Sequence, residues 1–130
     1  KKQPKLRFVV KSSKDDPKEL LSILEAKGDV DERDSSGQSI LALAISLGFE
    51  NMAKTLIEHK AEIDVEDDSG WFPVLEAANR PDMAGFLEEL VEIKADLSVV
   101  TASRGWGVLH LALKKMLPID TVETLIQEKA

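Results

Sequence analysis

The sequence predicts an all-α chain: a solenoid of stacked helix–turn–helix units carrying hairpin-like fingers. Three observations predict it. Gly37 and Gly70 lie 33 residues apart, and each stands three residues after an aspartate, Asp34 and Asp67. A fixed period of that length marks stacked repeats rather than a closed globule. A four-residue phrase recurs as E-A-K-G from Glu25, E-H-K-A from Glu58, E-I-K-A from Glu92 and Q-E-K-A from Gln127, at spacings of 33, 34 and 35. Each phrase follows an apolar pair at one offset: Ile23-Leu24, Leu56-Ile57, Leu90-Val91 and Leu125-Ile126.

Residues 1–14 open the chain as a basic arm or a degenerate first helix. They hold Lys1, Lys2, Lys5, Arg7, Lys11 and Lys14 and no acid. Leu6 to Lys14 occupies the slot of a first helix, but Lys11 takes the place of a small residue. Residues 15–130 form the repeat domain, with units at about 5–33, 34–66, 67–101 and 102–130. Asp16-Pro17-Lys18-Glu19 reads as a helix start, with an Asp cap, a Pro at the first helical position and a Glu two residues on. Leu20, Ile23, Leu24 and Lys27 follow at helical spacing.

Each later unit begins with a shorter apolar helix: Ile40–Leu47, ended by Gly48, then Pro73–Asn79, then Val108–Lys115. Alanines recur inside these helices and permit close stacking of neighbours. Helices this short are not stable alone, so stacking must supply the stability. Acidic links, Asp29-Val30-Asp31, Glu62-Ile63-Asp64 and Asp96-Leu97-Ser98, lead into glycine turns at Asp34–Gly37, Asp67–Gly70 and Ala102–Gly105. Pro81 begins a second helix after an extra residue in Asn79–Asp82, and Gly85 weakens that helix by about 1 kcal/mol.

These residues resemble the ankyrin-repeat family, whose pattern D-x-x-G-x-T-P-L-H-x-A appears as D-S-S-G-Q-S-I-L-A-L-A from Asp34. It appears again as D-D-S-G-W-F-P-V-L-E-A from Asp67 and A-S-R-G-W-G-V-L-H-L-A from Ala102. The resemblance covers roughly residues 15–130. It implies a right-handed stack whose fingers and first helices form a concave surface. No copy keeps both the hydroxyl and the imidazole of the T-P-L-H lock: Ser39 faces Ala42, Phe72 faces Leu75, and Gly107 faces His110. The lock's hydrogen bond is expected to be missing in all three, which implies modest stability. Lys27, Lys60, Lys94 and Lys129 replace the family's glycine after the second helix. Either each lysine takes a left-handed backbone at a cost of about 1 kcal/mol, or the helix runs one residue further.

Composition narrows the function. The chain of 130 residues has 43% hydrophobic residues, no Cys and no Tyr. Disulfides and thiolate metal sites are excluded, and the lack of Cys fits an intracellular protein, cytoplasmic or nuclear. No apolar run approaches the roughly 18 residues of a membrane span. His59 and His110 stand far apart, in different structural slots; the first is expected to be exposed, the second to bond at its helix start. Asp64-x-Glu66-x-Asp68 starts like a calcium loop, but Ser69 and Leu75 occupy the positions that need Gly and Glu. No metal, cofactor or catalytic residue is expected, and the chain reads as no enzyme.

The expected function is protein–protein interaction. Net charge is −7, but beyond the arm 11 basic residues face 24 acidic ones. Such a body opposes nucleic-acid binding and attracts a partner protein or peptide with a basic segment. Acids crowd two fingers: Asp29, Asp31, Glu32 and Asp34, then Glu62, Asp64, Glu66, Asp67 and Asp68. They either steer a basic partner or form a solvated face, with Asp34 and Asp67 holding turns. Trp71 and Trp106 follow the turn glycines, where the resemblance implies a place on the concave side; each either anchors a partner or packs on its own repeat. The resemblance points further to Ser35, Ser36, Gln38, Ser46 and Leu47 in one unit. It points to Asp68, Ser69, Asn79 and Arg80 in the next, and to Ser103, Arg104, Lys114 and Lys115 in the last. The alternative function is an intramolecular scaffold or regulatory segment of a larger multidomain protein, because nothing covers Val122, Leu125 and Ile126. On that reading further repeats or domains of the same chain follow.

Overall fold

A computed structural model describes residues 15–26 and 29–128. The basic arm, Lys27 and Lys129, for which the sequence carries expectations, lie outside these residues. Seven α-helices stand among the described residues: α1 (Lys18–Glu25), α2 (Ile40–Ser46), α3 (Glu50–Glu58), α4 (Pro73–Ala78), α5 (Ala84–Glu92), α6 (Val108–Lys114) and α7 (Ile119–Gln127). A single 3₁₀ turn, Pro81–Met83, leads into α5. The first helices α2, α4 and α6 end one residue earlier than their sequence pattern predicts, which is ordinary fraying.

Helices pair within units and stack between them. α2 packs on α3, α4 on α5, and α6 on α7; along the stack α2 meets α4 and α4 meets α6, while α5 meets α7. The alanines explain the closeness of the first-helix column: Ala44, Ala77, Ala78 and Ala112 are all 0% exposed. Larger side chains fill the layer between the columns, with Leu41, Met52, Leu56, Leu75, Phe86, Leu87 and Leu90 fully buried. Each such side chain contributes about 1.5–3 kcal/mol, far more than helix propensity supplies to segments of this length.

The helix starts are held by more than the sequence pattern suggests. α1 starts one residue later than its sequence pattern predicts, with Pro17 rather than Asp16 at the N-cap position, yet Asp16 Oδ1 still accepts from Lys18 N at 3.1 Å. The T-P-L-H expectation needs correcting. With no hydroxyl–imidazole pair the full lock cannot form, yet each half survives where its residue survives. Ser39 Oγ accepts from Ala42 N at 3.1 Å, and Gly107 N donates to His110 Nδ1 at 3.3 Å. Only α4 lacks both halves, and there Pro73 presets the first turn. A further cap comes from a distance: Asp15 accepts from Met52 N at 2.9 Å and Asn51 N at 3.2 Å, closing the start of α3.

The lysines after the second helices take the left-handed alternative. Lys60 and Lys94 both have φ 71°. The bonds Lys60 N to Ile57 O (2.9 Å) and Ala61 N to Leu56 O (3.0 Å), repeated at Lys94 and Ala95, form the helix-ending motif in which glycine is favoured. Gly48 ends α2 in the same way, and Met116 ends α6 at φ 58°. Lys60→Gly and Lys94→Gly should therefore each stabilise the chain by about 1 kcal/mol, read from urea unfolding midpoints. Unchanged midpoints would show that the strain is already relieved.

Candidate functional site

The fingers are built by their first residues. Asp34 Oδ1 accepts from Ser36 N (2.9 Å) and Gln38 N (3.0 Å), and Asp67 Oδ1 from Ser69 N (2.8 Å) and Trp71 N (3.0 Å). Gly37 N and Gly70 N then close tight turns onto Asp34 O and Asp67 O. Isolated antiparallel bridges, Arg33 with Ser39 and Val100 with Gly107, complete the hairpin-like shape. The last finger differs from the slot its sequence predicts. Thr101, not Ala102, fills the Asp position: Thr101 Oγ1 accepts from Trp106 N at 3.1 Å, and Thr101 N donates to Trp106 O at 2.9 Å. The extra residue is absorbed by a wider turn, Gly105 N to Thr101 O.

Several acids of the fingers hold backbone. Asp31 Oδ1 accepts from Glu62 N at 2.9 Å, and Asp64 Oδ1 from Asp96 N at 3.1 Å, so each finger base is tied to the next. Sequence reasoning missed these ties, although the 33-residue spacing of Asp31 and Asp64 was their signal. Asp68 donates its amide to Ser36 O at 2.8 Å. The Glu66 carbonyl accepts from the Arg33 guanidinium. The carboxylates of Glu66 and Asp68 remain exposed, so the edge stays negative.

Trp71 and Trp106 line one cavity of about 180 Å³ between the last two fingers and the ends of α4 and α6. Asn79, Arg104, Lys114 and Lys115 line it too, with Leu111 at its apolar wall. The fold thus gathers seven of the sequence candidates: Trp71, Asn79, Ser103, Arg104, Trp106, Lys114 and Lys115. Trp106 has two cations near its ring, Arg104 at 5.3 Å and Lys114 at 5.2 Å from the centroid. Gln38 and the carboxylates of Glu66, Asp67 and Asp68 lie outside this cavity's lining. Arg80 is engaged in the fold. It pairs with Asp82 through Nε and Nη2, both at 2.9 Å, and donates from Nη1 to Ser46 O at 2.8 Å. That pairing holds the Asp82 carboxyl below the usual carboxylate range.

The histidines stand apart from the cavity lining. His110 bonds at its helix start, as expected. His59 is half-buried rather than exposed, its Nδ1 3.0 Å from Thr55 O in the last turn of α3. Among the described residues no three His, Asp or Glu side chains gather as a metal-ligand group. No described helix is long and apolar enough to cross a membrane.

Stacked helix pairs joined by fingers define a repeat-solenoid protein. A family model for ankyrin repeats matches residues 8–98 in three copies, and the chain belongs to the ankyrin-repeat family. The α6–α7 pair lies beyond that match and repeats the same build. Similar curated proteins include human Rabankyrin-5, 39% identical over 56 residues, which is 43% of this chain and 5% of that protein. Mouse Rabankyrin-5 is 33% identical over 84 residues, covering 65% of this chain and 7% of the mouse protein. The chain therefore spans only a small part of the length of these relatives. Ankyrin repeats are in general protein-interaction modules, and the family is generally non-catalytic.

Proposed function

We propose that this chain binds a partner protein or peptide on the concave surface made by its fingers and first helices, and performs no catalysis. The observation that carries this reading is the shared cavity of Trp71 and Trp106. Two half-buried indoles at the junction of adjacent units offer large apolar area beside polar groups, the usual make-up of an interaction hot spot. At about 180 Å³ the cavity is smaller than the ~300–1,000 Å³ of small-molecule pockets, and suits one or two side chains. Asn79, Arg104 and Lys114 flank the anchor; Gln38, Glu66, Asp67, Asp68 and Arg80 extend the surface along the stack. The acidic fingers steer a basic part of the partner toward it. The absence of Cys suits an intracellular setting.

The double variant Trp71→Ala, Trp106→Ala should lose partner binding at least tenfold while keeping its helical circular dichroism. Partners are captured from lysate with the wild type and their affinity measured on both proteins. Unchanged affinity on a folded variant would remove the anchoring role. Raising salt from about 50 to about 500 mM should slow association if the acidic fingers steer, and a salt-independent rate would end that part of the reading.

A second reading is favoured by the last two helices. Of the three residues expected to lie uncovered, Leu125 is fully buried and Val122 half-buried against the core; only Ile126 is exposed, at 58%, and Leu113, Met116 and Ile119 join it at 58%, 85% and 74%. Such a face would pack against a neighbouring domain or repeat of a larger protein, making the segment an intramolecular scaffold. This reading expects the 130-residue chain to self-associate in light scattering; a monomer at high concentration counts against it.

A further inference from the structure

We infer that the Trp71–Trp106 cavity takes a carboxylate side chain, an Asp or Glu of the partner, seated beside an apolar residue. This deepens the proposed interaction surface and rests on it. The cavity is cationic within an acidic chain. Arg104, Lys114 and Lys115 line it, and no acid does. Among the described residues the ion pairs involve Lys54 and Arg80, so none of the three cavity cations has a carboxylate within salt-bridge distance. Lys114 and Lys115 also sit at the end of α6, where they answer the helix dipole. Arg104 belongs to a finger, and no helix end explains it. It stands instead near the Trp106 ring, as Lys114 does, so that both charges are held at the indole.

A carboxylate fits this arrangement in three ways. The Arg104 fork can receive it in bidentate fashion, and the lysine ammoniums add donors. The Asn79 amide offers a neutral donor at the same wall. The indoles and Leu111 accept the apolar neighbour. A dense polyanion fits poorly. Glu66, Asp67 and Asp68 lie on the finger that leads into Trp71, one unit before Arg104, and at physiological salt their field is felt over about 8 Å. A nucleic-acid backbone or an anionic membrane that reached Arg104 would also meet these acids. A peptide avoids the conflict by changing sign along its length. Neighbouring units repeat at roughly 10 Å, about three residues of extended chain. The partner segment therefore carries an acidic residue at the cavity and a basic one about three residues away, over the preceding finger.

The chain's only tryptophans are the two in this cavity, so their fluorescence reports on it directly. With each quencher normalised to its effect on free N-acetyltryptophanamide, iodide should be favoured over caesium at least twofold, against the sign of the net charge. Arg104→Glu with Lys114→Glu, both at exposed positions, should reverse that normalised preference. Equal normalised quenching, or caesium favoured in the wild type, would overturn the anion site. An unbiased displayed peptide library selected on the wild-type chain should then enrich Asp or Glu next to Leu or Phe. An isolated hit should weaken at least tenfold when its acid becomes the amide, and when Arg104 and Lys114 are reversed. Hits that need both tryptophans but carry no acid would overturn the carboxylate while leaving the surface intact. Hits indifferent to the tryptophans, or a library that enriches nothing, would count against the surface itself. Tighter binding of a short DNA duplex or of phosphatidylserine vesicles than of the selected peptides would also overturn the proposal.

Discussion

Gly70→Ala should destabilise the stack by about 2–4 kcal/mol, the sum of left-handed strain and overpacking. Gly70 has φ +83°, a region that costs any side chain. Space is lacking as well. A Cβ there would fall on the Ala102 Cβ and lie 3.1 Å from the Ala102 amide nitrogen. Those atoms belong to the next finger, one of them to its backbone, so relief requires the two fingers to separate. The expected loss of roughly 10 °C in melting temperature is large enough to read from a single thermal scan. Gly85→Ala provides the internal control. Gly85 is exposed inside α5, and a Cβ added there would meet no atom within 4 Å, so alanine should stabilise by up to about 1 kcal/mol. If both variants shifted stability in the same direction, the packing argument at Gly70 would fail. A smaller loss in Gly70→Ser than in Gly70→Ala would fail it too, since the larger side chain must clash at least as badly.

The same position shows what the sequence could and could not convey. The Asp-to-Gly spacing was enough to place two fingers, because one carboxylate and one positive φ suffice to close each turn. It misplaced the third, since Thr101 does with a hydroxyl what Asp34 and Asp67 do with a carboxylate, and periodicity alone put Ala102 in that slot. Ties between units were invisible for a related reason. Asp15 capping α3, and Arg80 reaching Ser46 O, join residues more than 30 apart whose pairing follows from the stack rather than from any local pattern. The tryptophan pair was legible from its place after each glycine. The resemblance also pointed to Arg104, Lys114 and Lys115; that these cations and both rings close on one cavity was not legible, because Lys114 and Lys115 arrive from the far end of α6.

Glu76→Leu should raise stability by about 2–3 kcal/mol at pH 8, chiefly by removing a poorly placed carboxylate and restoring an apolar column. Glu76 is the fourth residue of α4, and the fourth residues of α2 and α6 are Leu43 and Leu111, both buried. The half-buried Glu76 carboxyl has no hydrogen bond or ion pair among the described residues. Burial, and then the negative Asp67 nearby, push it up to about 7 from 4.5. The native state consequently holds this proton over a range in which the unfolded chain has released it. Stability attributable to Glu76 is highest below pH 4.5, falls as pH rises to about 7, and is flat above. Partial exposure screens the effect, so the fall is on the order of 1–2 kcal/mol. Asp82 works in the opposite direction: its paired carboxyl loses its small contribution as pH drops through its lowered value. Urea unfolding at about pH 5, 6, 7 and 8 separates the two, because of this pair only Glu76 titrates inside that window. Glu76→Gln should abolish the slope while Asp82→Asn leaves it in place. A slope that survives Glu76→Gln would assign the titration elsewhere and remove the reason for expecting Glu76→Leu to gain more at pH 8 than at pH 5.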